Sequence, residues 1–430
     1  MTIAPRGPVR GQARVPGDKS ITHRALLFAA LAEGPSRIRG YLDSGDCRAT
    51  IGCLGQLGVD VESIGPSELV VRGVGLHGLA EPFRPLDCVR SGTCMRLLAG
   101  ILAGQPGLSV LSGDEQLLRR PMDRVVQPLR AMGAQIWGRA GGRYAPLAIQ
   151  GASLQGTTLS LPVASAQVKS ALLLAGLYAQ GETVVVEPGP SRDHTERMLR
   201  ARGVSLSSEA LTHRVTGPVP SLARLDVDVP GDFSSAAFLI GAALLVPGSR
   251  LVLRDINLNP TRTGLLDAVA RMGGLVTILA ERDAAGEPLG DIEVYAQPLR
   301  GAAIGGELVP RMIDEFPLLA LLATQAEGVT TVTDAAELRV KETDRIATVT
   351  AALRTLGAQI EPTADGFVVE GPTPLRGALV DSAGDHRLAM TLAIAALVAH
   401  GETTITRAEC MDDSFPGFYP LLASLMGSAL

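Results

Sequence analysis

Six segments of the chain are apolar at nearly every position, and a short polar stretch precedes each of them. These segments are 25–32, 97–103, 171–179, 236–245, 318–323 and 388–399. Because a helix that is apolar all round lies inside a domain, the pattern predicts six buried helices. A glycine follows each segment, as expected of a helix stop, namely Gly34, Gly104, Gly181, Gly248, Gly328 and Gly401.

A second, amphipathic segment follows each buried one, for example 123–132 and 344–356. Each closes on an apolar residue or arginine followed by glycine, at 57–58, 132–133, 202–203, 272–273, 356–357 and 426–427. Runs with strand character lie between the helices, such as 69–72, 183–186, 251–253 and 366–369. The period is about 70 to 80 residues, which is too long for a solenoid unit. We therefore expect a βαβαββ module that is used six times.

The polar stretches divide the chain into two halves. Val15-Pro16-Gly17-Asp18 and Val229-Pro230-Gly231-Asp232 are almost identical, and three repeats follow each of them. We therefore expect one domain over 17–230 and a second over 1–16 and 231–430, with a hinge at the Pro-Gly crossings. Near the helix starts, five short polar residues are expected to cap them, namely Ser20, Thr93, Ser165, Ser234 and Asp385.

Composition narrows the class of protein. The 430 residues carry a net charge of −5, which argues against a general nucleic-acid binder. The longest unbroken apolar run, 236–246, is about half of a bilayer span, and no secretory signal begins the chain. The five cysteines are odd in number and lack CxxC spacing, so reduced thiols are expected rather than disulfides or a metal site. We expect a cytoplasmic protein with no membrane segment.

Cations stand at two of the predicted helix starts, where the helix dipole disfavours them. Lys19 opens the first buried helix and Arg387 opens the last. A bound anion would remove that cost. If the three buried helices of each domain run parallel, up to six positive helix ends would face one cleft between the domains, which would attract phosphates and carboxylates.

Other charged stretches have two possible explanations. Arg119-Arg120 suits bidentate recognition of carboxylate or phosphate, but a surface cluster is the alternative. The charged run 337–345 is typical of a solvated helix start. If it lies beside the acids Asp314-Glu315, the two together could instead supply proton-transfer groups. The histidines show no metal-ligand spacing, and no P-loop or dinucleotide motif is present, so we expect no metal and no cofactor.

At these residues the chain resembles the 5-enolpyruvylshikimate-3-phosphate synthases. The motifs are 16–24 (PGDKSITHR), 92–96 (GTCMR), 119–122 (RRPM), 165–167 (SAQ), 229–237 (VPGDFSSAA), 339–345 (RVKETDR) and 384–387 (GDHR). The resemblance covers essentially the whole chain. It implies an α/β (α+β) fold of two inverse αβ-barrel-like domains, each of three βαβαββ units, with the active site in the cleft between them. It also implies a monomer without a cofactor.

The resemblance implies a reaction as well: transfer of the enolpyruvyl group of phosphoenolpyruvate to the 5-hydroxyl of shikimate 3-phosphate, in aromatic amino-acid biosynthesis. The residues it assigns to shikimate 3-phosphate are Lys19, Ser20, Arg24, Ser165, Gln167, Arg192, Asp314 and Lys341. Those it assigns to phosphoenolpyruvate are Lys19, Gly92, Arg120, Gln167, Arg345 and Arg387. Gly92 is also the residue that leaves room for glyphosate in sensitive members of the family.

Three residues are expected to carry the proton transfers. Glu342 would deliver a proton to the methylene carbon of phosphoenolpyruvate, Asp314 would deprotonate the 5-hydroxyl and later the methyl group, and Lys19 would share in these steps. The chain departs from the family pattern at Val89-Arg90, where Gly-Asn is usual, and at Asp413, where some members have a lysine. Ala166 replaces a serine.

Three alternatives belong to other classes. The enolpyruvyl transferase that acts on UDP-N-acetylglucosamine uses a loop cysteine, and none occurs in 111–121. RNA 3′-phosphate cyclase shares the repeated module, but the negative net charge of this chain and its motifs argue against that function. A repeat scaffold that binds an anionic partner would tolerate the loss of Asp314 and Glu342.

Overall fold

The computed structural model describes residues 1–5 and 7–427, and the chain forms two compact units. The first unit is Gly17–Val229 with Asp283–Glu287. The second contains Met1–Pro16, Pro230–Arg282 and the chain from Pro288 onward. Each unit has a hydrophobic core of its own. Within the described ranges, no helix combines the length and apolarity that crossing a bilayer requires.

The elements are numbered in chain order. The chain begins with two strands of the second unit, β1 (Thr2–Ile3) and β2 (Arg10–Ala13). The first unit then contains α1 (Lys19–Leu31), β3 (Glu33–Arg39), α2 (Gly45–Gln56), β4 (Asp60–Gly65), β5 (Glu68–Val74), β6 (Leu86–Asp87), α3 (Gly92–Leu102), β7 (Leu108–Ser112), α4 (Glu115–Leu118), α5 (Asp123–Ala131), β8 (Gln135–Gly138), α6 (Arg139–Gly142), β9 (Tyr144–Gln150), β10 (Thr158–Ser160), α7 (Ala166–Gly176), β11 (Gly181–Val186), α8 (His194–Arg200), β12 (Leu206–Glu209), β13 (Thr212–Gly217) and β14 (Val227–Asp228).

The remaining elements belong mainly to the second unit. They are α9 (Phe233–Leu245), β15 (Arg250–Asn257), α10 (Gly264–Arg271), β16 (Val276–Ala284), β17 (Glu287–Tyr295), β18 (Ala303–Ile304), α11 (Leu308–Arg311), α12 (Phe316–Thr324), β19 (Gly328–Val332), α13 (Arg345–Thr355), β20 (Gln359–Pro362), β21 (Phe367–Gly371), β22 (Leu379–Asp381), α14 (His386–Val398), β23 (Thr403–Thr406) and α15 (Phe418–Leu425). Two 3₁₀ helices, Ala336–Val340 and Ala408–Asp413, were not expected from the sequence.

The strands form one small sheet for each of the six repeats. Three of the four-stranded sheets lie in the first unit, with the orders β14-β3-β5-β4, β6-β7-β9-β8 and β10-β11-β13-β12. The second unit contains β16-β17-β15-β2, β18-β19-β21-β20 and the three-stranded β1-β23-β22. In the second repeat, β6 pairs in parallel with β7 across α3, and β9 is antiparallel to both β7 and β8. This is the expected βαβαββ module.

Two strands pair outside their own repeat. β2 precedes α1 but pairs in parallel with β15, with Ala13 opposite Leu253. β14 precedes α9 but pairs in parallel with β3, with Val227 opposite Ile38. The repeat that contains α1 therefore takes its first strand, β14, from before the second Pro-Gly stretch. The repeat that contains α9 takes its first strand, β2, from before the first one. The two stretches thus have equivalent places in the fold, in agreement with their nearly identical sequences.

The six buried helices are α1, α3, α7, α9, α12 and α14. In the second unit, α9, α12 and α14 contact one another pairwise; in the first, α3 contacts both α1 and α7. The amphipathic helices α5 and α13 match the expected 123–132 and 344–356 within two residues.

Helix capping differs from the expectation in three repeats. Asp18, Ser91 and Asp232 cap α1, α3 and α9, each two residues before the residue that we expected. Only Ser165 and Asp385 cap as expected. The error has a simple cause, since both the cap and the second helical residue are short and polar. Consequently Ser20, Thr93 and Ser234 lie inside the first helical turn, and their hydroxyls are not used for capping.

The glycines after the buried helices do not all act as helix stops. Gly34, Gly181 and Gly328 begin or enter the next strand with a positive φ, whereas Gly104 has no positive φ. The true stops follow the amphipathic helices: Gly58, Gly133, Gly203, Gly273, Gly357 and Gly427 all have φ between +72° and +100°. A side chain at these positions would be strained, which explains the recurring apolar-Gly signature.

Candidate active site

The start of α1 places Lys19 beside a carboxylate. Asp18 caps the helix by accepting a hydrogen bond from the backbone N–H of Ile21 at 2.9 Å. Lys19 Nζ lies 3.2 Å from Asp46 Oδ2, in the first turn of α2, and each side chain is 26% exposed. Burial alone would raise the pKa of Asp46, but Lys19 and His23 outweigh it and the pKa is lowered. The Asp46 carboxyl is therefore ionised at neutral pH, and the pair is partly open to a ligand.

Arg24 lies one turn further along α1 and is 2% exposed. It donates from Nε to Thr195 Oγ1 and from Nη2 to Ser170 Oγ, both at 2.7 Å, and from Nη1 to the carbonyl of Ser20 at 2.9 Å. Burial lowers its pKa to about 10. All three hydrogen-bond partners are neutral. Glu196, Asp18 and Glu287 are near enough to raise the pKa, but no carboxylate among the described residues is in direct contact with the charge, which favours an added anion nearby.

The start of α3 meets α7 through an amide. Gln167 accepts a short hydrogen bond from Arg96 Nη1 and donates from Nε2 to Thr93 Oγ1 at 2.9 Å. A Cβ at Gly92 would lie 2.7 Å from Arg96 Nη1 and 3.5 Å from Arg120 Nη1. The structure thus brings together three residues that were assigned to phosphoenolpyruvate: Gly92, Arg120 and Gln167.

Arg96 is a member of this cluster that the sequence reasoning did not assign. Its Nε is buried without a hydrogen-bond partner among the described residues. Burial, together with the positive charges of Arg120 and Arg124, lowers its pKa to about 10. Three neighbouring guanidinium groups create a region of positive potential. The signal in the sequence was the position of Arg96, one helical turn after Gly92.

A buried ionic network supports the start of α7. Lys169 Nζ lies 2.7 Å from Glu187 and 2.8 Å from Glu196, and all three side chains are 1% exposed. His213 Nε2 lies 3.1 Å from the same Glu187 oxygen. Glu196 follows Thr195 in α8, so the network fixes the hydroxyl that binds Arg24. Nothing in the sequence pattern indicated it.

Two other predicted ligands of the first unit are near these groups. Ser165 caps α7, where its oxygen accepts from the N–H of Val168 at 3.5 Å. Arg192 precedes α8 and is close enough to Arg24 to lower its pKa. Arg90, where the family pattern is broken, is exposed and forms an ion pair with Asp114 at 2.9 Å.

In the second unit, Arg345 binds three carboxylates. Its Nη1 lies 3.2 Å from Asp314, its Nη2 lies 2.7 Å from Glu342 and its Nε lies 2.8 Å from the α14 cap, Asp385. Arg345 is 2% exposed. Burial alone would lower its pKa, but the carboxylates raise it. One guanidinium therefore holds the two predicted proton-transfer residues, Asp314 and Glu342, side by side.

Arg387 opens α14 and is 5% exposed. Its Nε and Nη1 are buried, and neither has a hydrogen-bond partner among the described residues. The guanidinium lies 5.9 Å from the centre of the Phe238 ring. A buried guanidinium with unused donors suits an anionic ligand, because each unpaired donor costs free energy.

Glu315 and two neighbours form a further cluster. From the sequence, Glu315 was a candidate proton-transfer acid without a specific role. Ser234 donates a short hydrogen bond to Glu315, and Arg262 Nη2 donates to Ser234 Oγ at 2.8 Å. Burial, followed by the charge of Asp314, raises the pKa of Glu315.

The remaining predicted residues of this unit lie at its surface. Lys341 follows the first 3₁₀ helix and forms an ion pair with Glu337 at 2.8 Å. Asp344 caps α13, as expected of a helix start. Asp413 ends the second 3₁₀ helix.

The fold and these clusters define a class: a two-unit α/β protein built from six βαβαββ repeats, with cations at the starts of buried helices. A family model described as EPSP synthase (3-phosphoshikimate 1-carboxyvinyltransferase) matches residues 3–422. The chain belongs to the EPSP synthase family.

Individual relatives agree with this assignment. The chain is 54% identical over 430 residues to a 3-phosphoshikimate 1-carboxyvinyltransferase of Synechococcus sp. strain RCC307, with 98% of each chain covered. It is 52% identical over 417 residues to one of Brevibacillus brevis, with 97% of each covered. A solved structure of EPSP synthase from Acinetobacter baumannii superposes with a TM-score of 0.92 at 43% identity, covering 98% of this chain and 97% of that one.

The buried His23 makes the stability of the first unit depend on pH. Its Nδ1 lies 2.7 Å from Thr50 Oγ1, and burial lowers its pKa from 6.5 to about 4. The stabilisation is complete above pH 6.5 and is lost as the pH falls towards 4, because only the unfolded chain takes up the proton in that window. From pH 7.5 to pH 5 we expect a loss of about 2 kcal/mol from this group.

His23→Gln should remove about 2 kcal/mol of that pH dependence. Urea unfolding followed through the single tryptophan, Trp137 in β8 of the first unit, would measure it. The exposed His400 provides a control, since His400→Gln should keep the wild-type slope. A His23→Gln protein with the wild-type slope would contradict the prediction.

Proposed function

We propose that the clusters of the two units act together as the active site for transfer of the enolpyruvyl group of phosphoenolpyruvate to the 5-hydroxyl of shikimate 3-phosphate. Membership of the EPSP synthase family makes the chain a transferase of the shikimate pathway. The observation that carries the site proposal is the single guanidinium of Arg345, which holds Asp314 and Glu342 within 3.2 Å and 2.7 Å. Proton donor and acceptor are thereby kept together.

The first unit would hold shikimate 3-phosphate. Lys19, Ser20 and Arg24 lie on the first turn and a half of α1, and Ser165 and Gln167 begin α7. Helix starts and cations attract the 3-phosphate and the carboxylate of this substrate. Arg192 would join them from the loop before α8, and Asp314 and Lys341 from the second unit.

Phosphoenolpyruvate would be bound by cations of both units. Gly92 lacks a side chain where Arg96 and Arg120 approach, which leaves space for an anion beside these guanidinium groups at the start of α3. Gln167 is held beside these groups by Arg96. Arg387 and Arg345 would supply the remaining positive charge from the second unit. The role of Gly92 also makes this the expected site for glyphosate.

The proton transfers would be divided among Glu342, Asp314 and Lys19. Glu342 would protonate the methylene carbon of phosphoenolpyruvate while Asp314 takes the proton of the 5-hydroxyl, whose oxygen attacks the neighbouring carbon. Asp314 would then pass the hydroxyl proton to the departing phosphate and, as a carboxylate again, accept a proton from the new methyl group while the carbon–oxygen bond to phosphate breaks and the carbon–carbon double bond forms. Transfer of that proton to Glu342 would restore both residues for the next turnover. Lys19 would stabilise the phosphate and share in proton transfer. No oxidation level changes, so the reaction requires no redox cofactor.

Closure of the two units around the substrates belongs to the proposal. A dry site would strengthen every charge interaction with the cationic intermediate. The domains would be 17–230 and 1–16 with 231–430, and the crossings at Pro16 and Pro230 would act as the hinge. We infer a monomer that works in the cytoplasm.

Phosphate release tests the activity. The purified chain with shikimate 3-phosphate and phosphoenolpyruvate should release one phosphate for each enolpyruvyl group transferred, as measured by a phosphate assay and by mass spectrometry of the product. UDP-N-acetylglucosamine as acceptor should give no release above background. Release with that acceptor alone would overturn the assignment of substrate.

Lys19→Ala should lower kcat by at least about 10²-fold, because it removes a fixed charge from the reacting groups. Steady-state phosphate release measures the effect, and circular dichroism checks the fold. Arg48→Ala is a matched control: Arg48 lies in α2, is exposed and pairs with Asp43 at 2.6 Å, so turnover should stay near wild type. A near-normal rate in Lys19→Ala would refute its central role.

Arg120→Ala should raise the KM for phosphoenolpyruvate by about 10- to 100-fold, the loss expected for one charge-assisted hydrogen bond. The neighbouring Arg119 is the control, since its side chain is 79% exposed and pairs with Glu115. Arg119→Ala should leave both kinetic constants near wild type. Equal KM values for the Arg120→Ala and wild-type proteins would count against this assignment.

A further inference from the structure

Three cysteines that are distant in the sequence converge in the core of the first unit. Cys53 lies in α2, Cys88 directly follows β6 and Cys94 lies in the first turn of α3. Their Sγ atoms all lie within 4.8 Å of one another, and each residue is 0% exposed. In the part of the chain that the structure describes, this is the one group of three potential metal ligands drawn from His, Cys, Asp and Glu.

The sulfur spacing fits a single ion. Three sulfurs bound at about 2.3 Å to a metal in trigonal geometry would be about 4 Å apart. Cys94 Sγ lies 3.9 Å from Cys53 Sγ, so this pair already has the required separation. Because the third sulfur is no more than 4.8 Å from either, less than about 1 Å of movement completes the triangle.

The geometry distinguishes metal binding from disulfide formation. A disulfide requires an S–S distance of about 2.05 Å, so Cys53 and Cys94 would have to approach by almost 2 Å within a packed core. It would also need an oxidant to accept two electrons and would leave the third thiol unpaired. A metal ion uses all three sulfurs and needs no electron transfer.

We propose that Cys53, Cys88 and Cys94 form a binding site for a soft, thiophilic metal ion, with Cu⁺ as the ion that three thiolates select. Soft thiolate ligands favour Cu⁺, whereas Zn²⁺ in closed sites takes four ligands. Binding forms three Cu–S bonds and releases the thiol protons to solvent. Cys94 lies in the same turn of α3 as Gly92, which the proposed function assigns to phosphoenolpyruvate, but copper binding does not depend on that function.

The test is direct binding of Cu⁺. The reduced chain is refolded without oxygen in the presence of Cu⁺ and a coloured Cu⁺ chelator, so that a buried site can load as it forms. The wild type should keep one Cu⁺ per chain after desalting, show thiolate-to-copper charge-transfer absorption, and unfold at a higher temperature than the metal-free protein. X-ray absorption should count three sulfur ligands.

Cysteine variants locate the site. Cys53→Ala, Cys88→Ala and Cys94→Ala should each retain less than about a tenth of the wild-type copper, since two thiolates compete poorly with the chelator. Cys47→Ala is the matched control, because Cys47 lies in the same helix α2 and is equally buried but is outside the group. It should bind copper as the wild type does.

Three results would overturn the proposal: a wild type that retains no copper, a Cys94→Ala protein that retains as much as the wild type, or a Cys47→Ala protein that loses it. If a variant fails to fold, as judged by circular dichroism, the number of sulfur ligands that X-ray absorption finds in the wild type decides whether the site exists. Fewer than three sulfur ligands at one copper per chain would exclude the site.

Discussion

The N-terminus of a buried helix leaves backbone N–H groups that water cannot reach, and much of this structure depends on how they are satisfied. A short side chain directly before the helix accepts from one or two of them, those of the second and third helical residues: Asp18, Ser91, Ser165, Asp232 and Asp385 all act in this way. The cap leaves the following residues free for other partners. The cap does not neutralise the positive end of the helix dipole, so a cation placed there needs a negative partner nearby.

Two clusters, one from each unit, show two ways to hold a cation near a helix start. Neither way is confined to one unit, since Lys19 of the first pairs with Asp46 and Arg387 of the second has donors without a partner among the described residues. In the first, Arg24 and Arg96 are held by hydroxyl, carbonyl and amide oxygens, and burial lowers the pKa of both to about 10. In the second, Arg345 is held by three carboxylates that raise its pKa. The first arrangement favours an added anion because, in the described part of the chain, the charge has no carboxylate in direct contact. The second arrangement instead fixes acidic groups, which is what proton transfer requires.

The pattern of apolar residues and glycines within each repeat was sufficient to predict the repeats. Contacts between residues that are far apart in the sequence could not be predicted from that pattern. The six buried helices and the βαβαββ module follow from apolar runs and glycine positions that lie within one repeat. By contrast, Arg24 finds its hydroxyl partners 146 and 171 residues away, at Ser170 and Thr195. The Cys53, Cys88 and Cys94 group is likewise formed by three separate elements, so no spacing rule could indicate it. Three of the five predicted capping residues were misplaced by two positions because neighbouring polar residues satisfy the same rule.

The scarcity of aromatic residues helps to explain how helix starts can be positioned so closely. Only 3% of the chain is aromatic, and its cores consist mainly of Ala, Leu, Val and Ile. At Gly100 in α3, an added Cβ would collide with the backbone of Ala171 in α7, so these helices pack with no side chain between them. Such packing leaves little freedom to shift, and the starts of α3 and α7 therefore hold Gly92 and Gln167 in place before any ligand binds. Pre-organised groups lose little entropy on binding, so substrate binding energy within the unit remains available for the reaction.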